Sequence, residues 1–310
     1  MSLAITTSYA GEFSGKYIAA ALLSGDTLAN EEITIMPNVR FKSVIQKASS
    51  NNIVRDASCD FQTGQGTLTL TEQILEPKEF QVNLDLCKKD LFATWQGAEM
   101  GYSQYADLPA SFSDFVLAHV AAKVSDFTET QIWSGAGGAG SFSGFETLLA
   151  ADAALPAAQE IAAVAGGVNA ANVIAEMGKV IDQIPSAVYG SSELRLYVSS
   201  NVARAYTRSL GGFASNGLGG AGYESRGTNQ VLGDLFFDGV QVVVCKGMAD
   251  NTMIAAEKSN LFFGTGLLNE SQEVRTIDMQ EVDGSMNVRV ILRYTAGVQY
   301  GEVTDIVLYA

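Results

Sequence analysis

The chain has 310 residues, a length that allows a sizeable buried core and about two domains. Hydrophobic residues make up 47% and charged residues 17%, which is an ordinary globular balance and not that of a disordered chain. The formal net charge is −15, from 34 acidic against 19 basic residues. It argues against sequence-independent binding to nucleic acid and against docking on an anionic membrane, since both need clustered Lys and Arg.

The three cysteines, Cys59, Cys87 and Cys245, are odd in number and widely spaced. No disulfide or metal spacing appears among them, so we expect reduced thiols in a cytosolic environment. The most apolar N-terminal run, Tyr17–Leu23, is too short to cross a bilayer. Because no cleavage site follows it, no signal peptide is predicted.

Residues 1–34 are predicted to be an N-terminal arm without a core of its own. A short helix is expected over Lys16–Leu23 and should end at Ser24–Asp26. Short strands are expected at Ile33–Ile35 and at Val39–Phe41.

Residues 35–85 are predicted to form an extended β-hairpin loop. Thr67–Thr71 and Phe80–Leu86 alternate strictly between apolar and polar residues, and a turn at Glu76–Pro77 divides them. Lys47–Gln65 is polar and typical of a loop or hairpin tip. A strand pair with so little apolar content at its tip cannot bury itself alone, so we expect it to need a neighbour.

A long helix is predicted over Ser111–Trp133, and a short helix is predicted before it over Leu86–Met100. At helical spacing, one apolar stripe collects Phe112, Phe115, Val116, Val120, Val124 and Phe127. The residues placed mostly off this stripe are Asp114, Lys123, Asp126 and Glu129. At 1.5 Å per residue this helix would be roughly 34 Å long, and we expect it to be the spine of the fold.

Residues 145–264 change to an α/β pattern. Helices are predicted over Asn172–Ile184 and Ser200–Leu210, followed by a glycine-rich loop over Gly211–Gly233. Strands are predicted at Leu194–Val198, Val240–Cys245, Met253–Ala256 and Leu261–Phe263. Helices that alternate with short strands indicate an α/β module.

The tail returns to β-structure. Glu273–Asp278 leads to a turn at Asp283–Gly284, and Asn287–Tyr294 alternates in side-chain polarity. Gly297–Tyr300 and Asp305–Tyr309 are expected to finish a sheet.

Nothing in the sequence predicts a catalytic, cofactor or metal site. Gly217–Gly222 matches G-x-G-x-x-G in letters, but a helix precedes it, so it is predicted to be a loop that binds no dinucleotide. His119, the single histidine, lies within the long helix and is predicted to be a packed residue rather than a general base. One histidine with three scattered cysteines makes a zinc site improbable.

Three acidic groups could hold the paired carboxylates of a hydrolase, but solvated surface or inter-subunit ion pairing is the preferred interpretation because each adjoins turn residues. These groups are Glu31 with Glu32, Asp234 with Asp238, and Asp278 with Glu281 and Asp283. The basic pairs are predicted to lie on a helix surface and on one sheet face; they are Lys88 with Lys89 and Arg289 with Arg293. We therefore expect a protein that is not an enzyme.

The order of these elements, an α+β chain with arm, hairpin, spine helix, α/β module and returning sheet, resembles that of one protein family. Four stretches carry the resemblance: TTSYAGEFSGKYIAAAL (Thr6–Leu22), KEFQVNLDLCKKD (Lys78–Asp90), KSNLFFGTGL (Lys258–Leu267) and NVRVILRYTAGVQYG (Asn287–Gly301). Over nearly its whole length the chain resembles the major capsid protein of tailed double-stranded DNA bacteriophages, with the capsid fold of the Hong Kong ninety-seven type.

This resemblance implies a shell protein that assembles into hexamers and pentamers of an icosahedral head around phage DNA. The peripheral domain would be residues 86–144 and 265–310, the axial domain residues 145–264, and the hairpin would lie across a neighbouring subunit. A separate scaffolding protein, a portal and in some cases a decoration protein would be its partners, and no cofactor is implied. The protein would be made in the bacterial host cytoplasm and would reside in the virion.

Six aromatic residues are candidates for inter-subunit contacts, with ordinary packing inside one chain as the alternative for each. They are Phe13 and Tyr17 on the arm, Phe41 and Phe61 on the hairpin, and Phe213 and Tyr223 on the axial loop. An encapsulin-like compartment that holds cargo enzymes is the second interpretation. A sugar-binding or hydrolytic β-rich enzyme is the third.

Overall fold

The computed structural model describes residues 25–51, 54, 56, 59, 66–88, 110–210, 235–266, 275–280 and 282–310. Its helices are α1 (Asp26–Ala29), α2 (Ala110–Ser134), α3 (Phe145–Ala151), α4 (Val173–Asp182) and α5 (Ser200–Ser209). Its strands are β1 (Thr34–Met36), β2 (Ser43–Asn51), β3 (Thr67–Leu75), β4 (Lys78–Cys87), β5 (Glu160–Ile161), β6 (Leu194–Ser199), β7 (Leu235–Phe237), β8 (Val240–Cys245), β9 (Met253–Glu257), β10 (Leu261–Gly264), β11 (Arg275–Asp278), β12 (Asn287–Tyr300) and β13 (Val307–Tyr309).

The long strand β12 organises a five-stranded sheet. It pairs antiparallel with β4, β10 and β11, while β1 adds to β10 in parallel. The predicted alternation is confirmed, since Val288, Val290 and Leu292 are buried. Asn287–Tyr294 and Gly297–Tyr300 were predicted as separate segments, but β12 runs unbroken through both. Gly297 allows the turn at Pro77 to approach the strand closely, since a Cβ there would lie 2.8 Å from the Cα of Pro77.

A six-stranded mixed sheet, in the order β5-β13-β9-β6-β8-β7, separates two hydrophobic cores. Tyr197 of β6 and Leu308 of β13 face the core that α2 and the five-stranded sheet share. Leu196 and Val307 face the opposite core, which α4 and α5 cover. The C-terminal strand β13 thus belongs to this sheet, whereas the sequence pattern placed it in the tail sheet with β12.

The spine helix α2 spans Ala110–Ser134, in agreement with the prediction. Val120 and Val124 are buried as expected, and so is Trp133 at the C-terminal end. The placement of Glu129 off the buried stripe is wrong, because its side chain is only 1% exposed. Helix α1, which the sequence pattern did not predict, packs over this position and widens the buried face of the spine.

The hairpin is formed by β2 and β3, which pair antiparallel from Ser43↔Leu75 to Asn51↔Thr67. The predicted strand at Val39–Phe41 is absent and β2 instead covers Ser43–Asn51, including the start of the predicted polar loop. Main-chain pairing with β3 holds these polar residues in a strand. Their polar side chains are tolerated there because both faces of the outer half of the hairpin are open to water. Strand β4, which was assigned to the same extension, pairs with β12.

The predicted helices and strands of the α/β module are confirmed to within about three residues at each end. The predicted helix over Lys16–Leu23 and the glycine-rich loop Gly211–Gly233 lie outside the described residues. Of the predicted helix Leu86–Met100, Leu86 and Cys87 end β4, and residues 89–100 lie outside the described residues. Across the described ranges, no helix combines the length and apolar character needed to cross a membrane.

Candidate assembly surfaces

The inner face of the hairpin is fixed to the body of the protein at its root. Leu75 is fully buried, and a Cβ at Gly264 would lie 2.7 Å from its Cδ2 atom. Farther along β2, the Lys47 ammonium lies 3.1 Å from each carboxylate oxygen of Glu302. These contacts fix the root, while the outer half of the two strands is exposed on both faces.

The hairpin outer face is apolar and open to solvent. It consists of Val44, Ala48, Leu68, Leu70 and Ile74, which alternate along the two strands and are all exposed. Leu70 alone is 73% exposed. The exposed polar pair Gln46 and Glu72 divides these apolar side chains into two groups on the same face. A two-stranded sheet is marginally stable at best, and exposed apolar groups on it mark an interaction site. This surface is therefore the first candidate for a contact between copies.

Of the six aromatic contact candidates, only Phe41 lies among the described residues. It is 73% exposed at the hairpin root, with the Lys42 ammonium 5.5 Å from its ring centroid, so it is not a core residue of the chain. The other five, Phe13, Tyr17, Phe61, Phe213 and Tyr223, lie outside the described residues. The aliphatic outer face was missed, although the strict alternation over Thr67–Thr71 already placed Leu68 and Leu70 on one side.

A second candidate surface is the solvent face of the five-stranded sheet. Arg289 and Arg293 point to solvent on β12 with the half-buried Ile291 between them, as predicted for one sheet face. Asn83 and Asp85 of β4 line the same depression. Arg289 is held only loosely, since its Nε lies 4.0 Å from the Asp85 carboxylate.

The residues considered for nucleophile or metal chemistry are structural. His119 is half-buried on α2. Cys245 is buried, and that burial raises the pKa of its thiol well above the usual range, which keeps it protonated and unreactive. The three cysteines are unpaired, and within the described part of the chain no group of three or more His, Cys, Asp and Glu side chains could hold a metal ion.

One of the charged residues predicted to lie at the surface is buried instead. Lys88 was expected on a helix surface, but its side chain is 0% exposed and its ammonium pairs with the Asp278 carboxylate. Burial raises the pKa of Asp278, but the hydrogen bonds from Lys88 and from the Gln280 amide, together with the positive charge of Lys88, lower that pKa overall. Asp278 thus serves an intrachain ion pair, because β4 and β11 flank the same strand β12.

The other acidic candidates lie at the surface or outside the described residues. Glu31 and Asp238 are exposed at turn positions with positive φ. Glu32 is partly buried, with its carboxylate 4.0 Å from Arg195. Asp234, Glu281 and Lys89 lie outside the described residues. None of these placements assembles a pair of facing carboxylates among the described residues.

Comparisons with protein-family models and with curated protein sequences found no match. Solved structures do match in fold. The capsid of a native GTA particle aligns with a TM-score of 0.61 and 13% identity, covering 96% of this chain and 93% of that chain. The capsid of cyanophage P-SCSP1u gives 0.57 and 10%, covering 96% and 91%, and the capsid of Myoviridae phage XM1 gives 0.57 and 15%, covering 94% of each chain. The predicted α+β phage capsid fold is thereby confirmed.

Proposed function

We propose that this protein is the major capsid protein of a tailed double-stranded DNA bacteriophage, a structural protein and not an enzyme. Copies would assemble into hexamers and pentamers of an icosahedral head that encloses the genome. The observation that carries the proposal is the uncovered apolar outer face of the hairpin, Val44 to Ile74, in a chain that has the phage capsid fold. A neighbouring copy that covers this face would stabilise both partners.

The division into domains remains part of the proposal. The shared core of α2 and the five-stranded sheet supports a peripheral domain, and the core beneath α4 and α5 supports an axial domain. The predicted axial loop 211–233 lies outside the described residues, so its place at the symmetry axis of each ring stays a prediction. The acidic balance of the chain suits a shell that repels packaged DNA slightly and does not immobilise it.

The further partners follow from this role. A separate scaffolding protein would direct assembly in the host cytoplasm, a portal would occupy one vertex, and a decoration protein could bind outside. The head would enclose DNA without reading its sequence, and no membrane or cofactor is involved. The three similar capsids favour this role over an encapsulin-like compartment, which would hold protein cargo.

The test is size-exclusion chromatography with negative-stain microscopy of the full chain, expressed alone and in cells infected by a tailed phage. Rings of five or six, tubes or closed shells are the expected products. Leu70→Asp should abolish them while leaving the circular dichroism spectrum unchanged, because it places a charge on the outer face only. A chain that stays monomeric under both conditions overturns the proposal, and shells filled with protein rather than nuclease-protected DNA would favour the compartment.

A further inference from the structure

Two strands of this protein carry complementary patterns at the same spacing. Strand β12 presents Arg289-x-Ile291-x-Arg293 to solvent, and the end of β3 with the residue just after it presents Glu72-x-Ile74-x-Glu76. We propose that the glutamate ridge (Glu72, Ile74, Glu76) of one copy binds the arginine ridge (Arg289, Ile291, Arg293) of a second copy. This inference rests on the proposed function. It adds the surface of the neighbouring copy to which the root of the hairpin binds.

The arginine ridge lies on an exposed sheet face, and described acidic side chains neutralise its charge only in part. Arg293 makes no ion pair with any described residue, whereas Arg289 lies 4.0 Å from Asp85 and also interacts electrostatically with Asp283. Arginine is the cation best suited to bind carboxylates at an interface, because its planar guanidinium can donate two parallel hydrogen bonds to one carboxylate.

The glutamate ridge is exposed at the root of the hairpin, where the strand position is fixed. Glu72 is exposed and makes no ion pair with a described residue, and Ile74 beside it is 45% exposed. Glu76 pairs with Lys42 at 3.0 Å, but its side chain stays 56% exposed and can accept from a second donor. Leu75, between these residues, is buried and holds the ridge in place.

The two ridges match in length, polarity and charge. Residues four apart on a strand are about 13 Å apart, so both carboxylates can reach both guanidiniums in either strand direction. The central Ile74 would meet Ile291 and bury both side chains.

The test uses two charge-reversed variants of the full chain. Variant A is Glu72→Arg with Glu76→Arg, and variant B is Arg289→Glu with Arg293→Glu. Alone, each variant sets like charges against each other at every such contact, and the sedimentable assembled fraction should fall at least about tenfold from the wild-type value. In an equal mixture, opposite charges meet wherever A and B alternate, which a ring of five cannot do throughout, so assembly should recover in part. The chain that carries all four changes keeps the wild-type net charge and should assemble alone.

A matched control is Arg204→Glu with Arg208→Glu on α5, an exposed pair with the same spacing and the same charge change. Mixing it with variant A should restore nothing. Normal assembly of A or B alone, or failure of the chain with all four changes to assemble while it remains folded by circular dichroism, overturns the inference and leaves the proposed function standing. Normal assembly of B with loss of binding to an acidic protein would assign the ridge to another partner. A wild-type chain that never assembles refutes both.

Discussion

The hydroxyl of Thr27 donates a 2.6 Å hydrogen bond to Glu129, joining the short helix α1 to the C-terminal part of the spine helix 102 positions later. The Thr27 amide donates to the other carboxylate oxygen at 3.3 Å, and the Trp133 indole donates to the Thr27 hydroxyl at 3.0 Å. All three side chains are buried. A satisfied polar network therefore joins helix α1 to the spine helix.

Glu129→Ala should lower the free energy of unfolding by about 2–3 kcal/mol, because it leaves the buried Thr27 amide and hydroxyl without an acceptor. Glu129→Gln keeps one acceptor and removes a buried charge, so its cost should stay below about 1 kcal/mol at neutral pH. Urea unfolding of the unassembled chain measures both. Glu160→Gln at an exposed position is the control and should change stability by less than about 0.5 kcal/mol. Equal costs for Ala and Gln would show that the network does not depend on an acceptor at this position.

The same carboxyl should give a pH-dependent difference between wild type and Glu129→Gln. Burial raises the pKa of Glu129, although the hydrogen bonds from Thr27 lower it in part. A folded-state pKa above the unfolded value gives stability that is fully present below the unfolded pKa and is lost as pH rises through the folded pKa. Thermal unfolding should therefore show wild type losing stability relative to Glu129→Gln as pH rises through this window. A difference that is constant with pH would contradict the raised pKa.

The network also marks the limit of prediction from the sequence. The helix at Ser111–Trp133 and the alternation in Asn287–Tyr294 depend on local periodicity, so their elements could be predicted to within a few residues. The burial of Glu129 and Lys88 could not, because each depends on a partner, Thr27 or Asp278, that lies far away in the chain. No local pattern contains such a contact.

The candidate surfaces, too, could be predicted from the sequence only in part. The sequence indicated that the hairpin needs a neighbour, since its polar tip cannot form a core. It did not show which face is free, because that depends on how Leu75 packs against Gly264 and how β4 leaves for β12. Aromatic residues were chosen as contacts for their size, whereas the described hairpin exposes mainly aliphatic side chains.

Replacing Asp278 by Asn should destabilise the protein more than replacing Lys88 by Met. Asp278→Asn removes the carboxylate that pairs with the fully buried Lys88 ammonium, a change that typically costs about 3–5 kcal/mol. Lys88→Met fills the same volume with an apolar chain, and the freed Asp278 is 31% exposed and can be hydrated. Urea unfolding of both variants measures the asymmetry. A larger loss for Lys88→Met would mean that other contacts of the Lys88 side chain, rather than loss of the Asp278 charge, set the energetics.

Leu75→Ala and Leu70→Ala are the same chemical change on opposite faces of one strand. Leu75 is fully buried against Gly264, so its truncation should cost about 2–5 kcal/mol in the unassembled chain. Leu70 is 73% exposed, and its truncation should cost less than about 0.5 kcal/mol there. In assembly assays the order of the two variants should be the reverse. Leu70→Ala should weaken the assembled lattice more than Leu75→Ala does, although it leaves the stability of the unassembled chain unchanged. If Leu70→Ala assembles as wild type, the outer face does not contact a neighbour.

Lys47→Met should loosen the hairpin without unfolding the body. Lys47 lies 3.1 Å from both carboxylate oxygens of Glu302 and joins β2 to the segment before β13, beyond the anchor at Leu75. Hydrogen exchange should accelerate in β2 and β3 and remain unchanged in β12. Lys42→Met is the control, because its partner Glu76 lies at the same hairpin root and does not tie the strands to the body.

The pH dependence of this pair has the opposite sign from that of Glu129. Burial alone raises the pKa of Glu302, but the hydrogen bonds from Lys47 and Thr304 outweigh it and lower that pKa. The stabilisation is therefore present above the unfolded pKa and is lost as pH falls through the folded pKa. A double-mutant cycle of Lys47→Met with Glu302→Gln should give a coupling of about 0.5–1 kcal/mol at pH 7 that disappears in acid. If the coupling is zero at pH 7, the buried Leu75 alone holds the hairpin root, and the hairpin angle should then respond to Leu75→Ala and not to pH.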